Sequence, residues 1–312
     1  MTHPSGPLQL PAGLNVGEAF ARILHHHGAV MLHHAARIQA GGEDVEPVHQ
    51  TRVALRRLRS ALSVFRAATQ TPAVTALAQD LRAFGHVLGP ARAWDVFLAA
   101  DGHRVALAFP QDKMVRALLR EAARKRDAAY AALAQDQAGP RFGALTEHLA
   151  AIAEGHGWRD DLTAEQRAAL AQPLDRFGAD TLARLHKRVR RAGRHLSRLD
   201  TPALHALRLR GKRLRYAAEF FATQFDTKLA GRYVRRLAAL QEQLGWLNDA
   251  ATTTILLAEL RARGRAGGIV LGYTAAEAAF AMRDLPEVWK RFRDAAPFWD
   301  LAPEPKPAPP ES

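Results

Sequence analysis

Two stretches of this sequence carry side chains suited to gripping a polyanion. The first reads His49-x-x-Arg52-Val53-x-x-Arg56-Arg57-Leu58-Arg59, and the second His205-x-x-Arg208-x-x-x-Lys212-Arg213-Leu214-Arg215. They superpose without gaps at an offset of 156 residues, with Phe65 falling on Phe221 beyond them. Arginine offers a planar fork of donors that takes phosphate oxygens in pairs, and lysine adds a point charge. A run of charge on a helix is usually a solvated face held by Glu to Lys pairs at i, i+4. No Asp or Glu lies between the histidine and the last arginine of either run, so those partners are missing here. Like charges at helical spacing repel, and a chain that carries this cost twice is read as binding an external anion.

Such a row needs a helix to present it. At about 100° per residue, His49, Arg52, Arg56 and Arg59 share an arc of roughly 80°, while Ala54, Leu55, Leu58, Ala61, Leu62 and Phe65 fill the opposite side. His205, Arg208, Lys212 and Arg215 are likewise opposed to Leu209, Leu214, Ala217, Ala218 and Phe221. Each row extends about 15 Å, enough to meet several charges of an elongated anion. Pro47 and the run Asp200, Thr201, Pro202 mark the helix starts. Both motif histidines therefore fall near the first turn, where free N–H groups and the helix dipole favour an anion. Arg210 takes the position of core-facing Ala54 and is expected to snorkel outward as a secondary contact.

Further cations accompany the motifs. A helix predicted over 16–39 places Arg22, His26 and His33 off its apolar stripe of Phe20, Ile23, Leu24, His27, Met31 and His34, as additional phosphate contacts. The adjacent His25, His26 and His27 point in different directions without acidic or thiolate company, so no metal site is expected. A helix predicted over 177–198 carries Arg184, Lys187, Arg188, Arg191 and Arg194 on one arc, and no acid lies between Arg184 and Arg198. It is the strongest anion-binding candidate after the motif helices.

The remaining pattern gives helices near 73–88, 92–107, 111–136, 141–154, 163–171, 202–224, 228–245, 248–264 and 269–283. The first of these is expected to close at Leu88, Gly89 and Pro90, and Leu244-Gly245 repeats Leu88-Gly89 at the same offset as a second turn between helices. Asp95 and Asp249 are expected beside these turns as polar anchors. The division follows as a leader over 1–13, bundles over 14–157 and 158–300 that meet near Gly155 to Gly157, and a Pro-rich disordered tail over 301–312.

A net charge of +13, with 14 histidines uncounted, predicts a polyanionic partner: polyphosphate, nucleic acid or an acidic surface. Of 44 basic residues 37 are Arg, which the Ala-rich composition explains as codon bias, so positions rather than counts carry the reading. Absence of cysteine excludes disulfides and thiolate metal sites. No apolar run reaches about 18 residues, and residues 1–13 lack a secretory signal pattern, so a cytoplasmic protein is expected.

The doubled motif, together with the Leu-Gly-x-x-Asn-Asp stretch at Leu244 to Asp249, resembles the CHAD domain, the conserved histidine α-helical domain, over roughly residues 14 to 290. The resemblance implies an all-α fold of two pseudo-symmetric helical bundles and a basic surface that binds inorganic polyphosphate at polyphosphate granules. On that reading His49, Arg52, Arg56, Arg57, Arg59, His205, Arg208, Lys212, Arg213 and Arg215 line a groove or pore, without catalysis, cofactor or metal. Two rivals share the charge. A nucleic-acid binder would need stacking platforms, and aromatic residues make up only 7% of the chain and are scarce in the rows. A phosphate-anhydride hydrolase would need metal-holding carboxylates or an activated nucleophile, and neither a P-loop nor alternating glutamates occur. Oligomeric state is not legible from the pattern.

Overall fold

The computed structural model describes residues 6, 8–42, 44–262 and 264–300. Twelve α-helices follow one another among these residues: α1 (Val16–Gln39), α2 (Glu46–Val64), α3 (Arg66–Thr69), α4 (Pro72–Phe97), α5 (His103–Ala108), α6 (Lys113–Ala138), α7 (Pro140–Ala153), α8 (Ala164–Ala171), α9 (Leu174–Ala192), α10 (Thr201–Phe221), α11 (Thr227–Glu259) and α12 (Arg265–Arg293). A single bridge between Asn15 and Pro173 is the only β-pairing among the described residues, and it ties the start of α1 to that of α9. No helix is long and apolar enough to cross a membrane. The all-α class expected from the sequence holds. The tail 301–312 and residues 1–5 and 7 of the leader lie outside the described residues, while Leu10 of the leader is buried and its carbonyl accepts from Thr223 and Gln224 at 2.8 and 2.7 Å.

The two motif helices begin as their sequences suggest. Asp200 caps α10 by accepting from Ala203 N at 2.9 Å, and Asp44 accepts from Glu46 N at 2.9 Å just before α2. Their apolar faces meet in one core: the Phe65 and Phe221 rings, equivalent in the repeat, sit 5.8 Å apart, with Phe177 5.3 Å and Phe20 5.5 Å from Phe65. Each such buried side chain contributes about 1.5–3 kcal/mol, enough to hold together helices whose other faces repel. α1 packs on α2 as α9 packs on α10, and α4 on α2 as α11 on α10. The Gly155 to Gly157 turn has positive φ at both glycines. The core nonetheless runs through both halves, since Trp158 packs against Phe20.

Several helix ends differ from the sequence reading; the helix expected over 269–283, for one, runs from Arg265 to Arg293 with Pro286 inside it. Predicted breaks at Gly89-Pro90 and at Gly245 do not occur: α4 runs on to Phe97 with Pro90 inside it, and α11 runs unbroken to Glu259. A proline costs an internal helix about 3 kcal/mol, but Leu77, Leu81, Phe84, Leu88, Ala91 and Trp94 form one buried stripe across it, and that burial wins. The helix predicted to reach 198 stops at Ala192 instead. Its C-cap is Gly193, which packs against Trp289 so closely that a Cβ there would stand 2.3 Å from the ring. Arg194 consequently falls beyond α9.

Candidate basic cleft

α2 and α10 lie side by side with α4 flanking the first, and a cavity of about 690 Å³ opens along them. Arg52, Arg56 and Arg59 reach it from α2, Lys212 and Arg213 from α10, Arg66 from α3 and Arg82 from α4. Among the described residues seven cations and no carboxylate line this cavity. Gly85 lets α4 approach: a Cβ there would stand 3.2 Å from Leu55 and 3.7 Å from the Arg59 guanidinium. Tyr216 forms part of the wall from beneath, only 4% exposed, and its ring centroid is 5.8 Å from the Arg56 guanidinium and 5.5 Å from that of Arg215.

The cations are close enough to weaken one another. Burial, then Arg208, Arg56 and Arg52, push the Lys212 ammonium down to about 8, with Asp249 opposing. Burial, then Arg56, Arg92 and Arg59, loosen the proton of Arg52, and burial and Arg82 do the same to Arg59. Arg208 is lowered by burial and Arg56 against the pull of Asp249 and Tyr216. His49 is pushed below the ordinary imidazole value by burial and then Arg92, so it is neutral at pH 7. Arg52, Arg56, Arg59, Arg208 and Lys212 thus form one electrostatic cluster, with His49 at its edge.

Not every candidate reaches it. Arg57 and Arg215 both pair with Glu219, at 2.9 and 3.1 Å, and neither lines the cleft. His205 and Arg210 are exposed and stand outside it. Leu209, assigned to the core, is 51% exposed on the rim of the cleft, because α10 turns that edge toward the opening. Arg184, Lys187, Arg188 and Arg191 form an exposed face of α9, with Arg194 beyond its end, and none of them lines this cleft. Arg22 and His33 are exposed on α1.

His26 and Arg57 line a second cavity of about 730 Å³, between α1, α2, α10 and α11. Ala230, Gly231 and Val234 in its wall fall, at the 156-residue offset, on Val74, Thr75 and Ala78 of the first cavity. Val53 and Arg57 likewise correspond to Leu209 and Arg213. The chemistry differs: Ser63 and Arg66 of the first become Glu219 and Ala222 of the second, and Arg82 falls on Ala238. His27, in the wall of this second cavity, is held neutral, its pKa lowered to about 3 by burial and by Arg57.

Sequence reasoning missed Arg66, Arg82 and Arg92. The last two ride on α4, on either side of the proline taken as a helix break, and only unbroken α4 brings both to the motif row. Arg66, one residue past Phe65, belongs to a separate short helix.

The CHAD domain profile matches residues 22–258. The chain belongs to the CHAD family. A crystal structure of the CHAD domain from the plant Ricinus communis is 30% identical and superposes with a TM-score of 0.77, over 92% of this chain and 94% of that one. PptA from Streptomyces chartreusis, at 18% identity, shares the fold with a TM-score of 0.67, over 88% of this chain and 99% of its own. No curated protein matches the CHAD chain described here. Among the described residues no three His, Asp or Glu side chains gather into a metal-ligating group.

Proposed function

We propose that the cleft between α2, α4 and α10 binds inorganic polyphosphate and that the protein acts by binding rather than catalysis. The observation that carries the reading is the wall of seven cations without a carboxylate. Charge of this density, with no carboxylate lining it among the described residues, is met by a chain of phosphates through many charge-assisted hydrogen bonds. The helical row is elongated, which favours a linear polymer over a single phosphate. Among the described residues Tyr216 is the one aromatic lining the cleft, and it is buried under the arginines, so it offers no platform to a nucleobase. Such affinity would bring the protein to polyphosphate granules in the cytoplasm. The exposed row on α9 favours a second, weaker reading, contact with nucleic-acid phosphates at low salt.

The test is titration with long-chain polyphosphate and with a length-matched single-stranded DNA at 50 and 200 mM salt. Binding that selects polyphosphate at both salts, with no phosphate released in the presence of magnesium or manganese, is expected. Equal binding of the two polymers would reduce the site to general basicity, and phosphate release would make the protein an enzyme.

A further inference from the structure

The second cavity repeats part of the wall of the first but not its charge: among the described residues Arg57 is its one arginine, and two carboxylates, Glu46 and Glu219, line it. Glu219 stands where the first half has Ser63. Its carboxylate is shared by Arg57 of α2 and Arg215 of α10, one cation from each motif, at 2.9 and 3.1 Å, with all three side chains largely buried. A carboxylate in ion-pair contact with two guanidinium groups stands where a phosphate could sit between the same cations. Arg213, equivalent to Arg57, has no carboxylate partner among the described residues and lines the first cavity.

We propose that Glu219 is an internal stand-in for phosphate that silences the second cavity and confines polyanion binding to the first. This rests on the polyphosphate reading of the first cavity and adds the residue that restricts it to one of two related sites. Glu219 holds Arg57 and Arg215 in place and neutralises them, so a polyphosphate chain following the cations of α2 and α10 finds seven on one side and a closed triad on the other. The asymmetry gives the protein one entry side for the polymer.

Glu219→Ser installs the residue of the first half, and Glu219→Gln removes the charge while keeping an oxygen acceptor for one arginine. Wild type and both variants are titrated with long-chain polyphosphate across a salt series. Release of two cations is expected to tighten binding about tenfold at low salt and to steepen the log–log salt slope by about 1 to 2, since each phosphate contact adds roughly 0.7–0.9. Adding Arg57→Ala to Glu219→Ser should reverse part of that gain, whereas Arg57→Ala alone should change wild-type binding less than twofold. Two results overturn the inference: a folded Glu219→Gln or Glu219→Ser protein with the wild-type slope and affinity, or an Arg57→Ala loss as large as that of Arg56→Ala. A wild type indifferent to polyphosphate would bring down the reading of the first cavity, and this inference with it. Wild-type binding with unaltered variants would bring down the inference alone.

Discussion

The two cavities flanking α2 and α10 share part of their walls at equivalent positions and differ in charge. In the first, Arg52, Arg56, Arg59, Arg66, Arg82, Lys212 and Arg213 face one another without a lining carboxylate among the described residues, and Lys212 holds its proton only to about pH 8. In the second, Arg57 is paired through Glu219, and alanines replace two of the outer cations. A motif that reads nearly alike in both halves therefore yields one charged and one quenched cavity. On the proposed reading, recognition would reside in the residues around the motif as much as in the motif itself, since a carboxylate four residues past the last arginine ties two of its cations into an ion-pair triad.

The largest effect that would break this comparison is removal of the charged cluster. Arg52→Ala/Arg56→Ala/Arg208→Ala/Lys212→Ala should weaken polyphosphate binding roughly a hundredfold or more, since each charge-assisted hydrogen bond contributes about 1.5–3 kcal/mol. Its helical spectrum should stay intact because the changed side chains lie off the apolar faces. Neutralising the α9 face by Arg184→Ala/Lys187→Ala/Arg188→Ala/Arg191→Ala should cost far less. If the two variants lose binding equally in a competition assay, the cleft is not the recognition site.

Next comes conversion of the first cavity toward the second. Arg66→Ala/Arg82→Ala installs the residues of the equivalent positions, Ala222 and Ala238, and is expected to weaken binding about tenfold while reducing the salt slope by about 1 to 2. An unchanged slope would mean that the polymer never reaches the α4 side.

How far the sequence disclosed this arrangement depends on how local each feature is. The faces of α2 and α10, their starts, and the core positions Leu58, Phe65, Leu214 and Phe221 follow from 3.6-residue periodicity and from proline and cap chemistry, which act within a few residues. Pro90 and Gly245 misled because local breaking signals lose to continuous burial, which only tertiary packing supplies. Arg82 and Arg92 were invisible for the same reason: cations on another helix join the motif row through packing. Glu219 was legible in part, since it lies four residues after Arg215, the spacing of a helical ion pair. Its second partner, Arg57, comes from the other half of the chain. Periodicity likewise gave α9 a basic face without saying that this face points away from both cavities.

A smaller effect concerns Lys212. Its folded pKa, about 8, lies below the ordinary 10.5, so the folded state binds fewer protons than the unfolded chain between those values and apo stability should rise with pH there. Polyphosphate binding should move the opposite way, weakening several-fold from pH 7.5 to 9.5 as the ammonium is lost. Lys212→Met is expected to raise the apo melting temperature by several degrees, remove this alkaline dependence and weaken binding at pH 7. Parallel trends of stability and affinity with pH would contradict a cluster strained by its own charge.

The smallest expected effect separates the two motif histidines. Neither histidine lines a cavity, but His49 is half-buried beside Arg92 and neutral at pH 7, so it offers the polymer a hydrogen bond rather than a charge, whereas His205 is exposed. His49→Ala should weaken polyphosphate binding about threefold at pH 7, the size of one neutral hydrogen bond. Its deficit should widen as pH falls, because bound phosphate then favours an imidazolium that the variant cannot form. His205→Ala should stay within about twofold throughout. The reverse ranking would place the polymer over the start of α10 and would make the second motif, rather than the first, the end at which the chain enters.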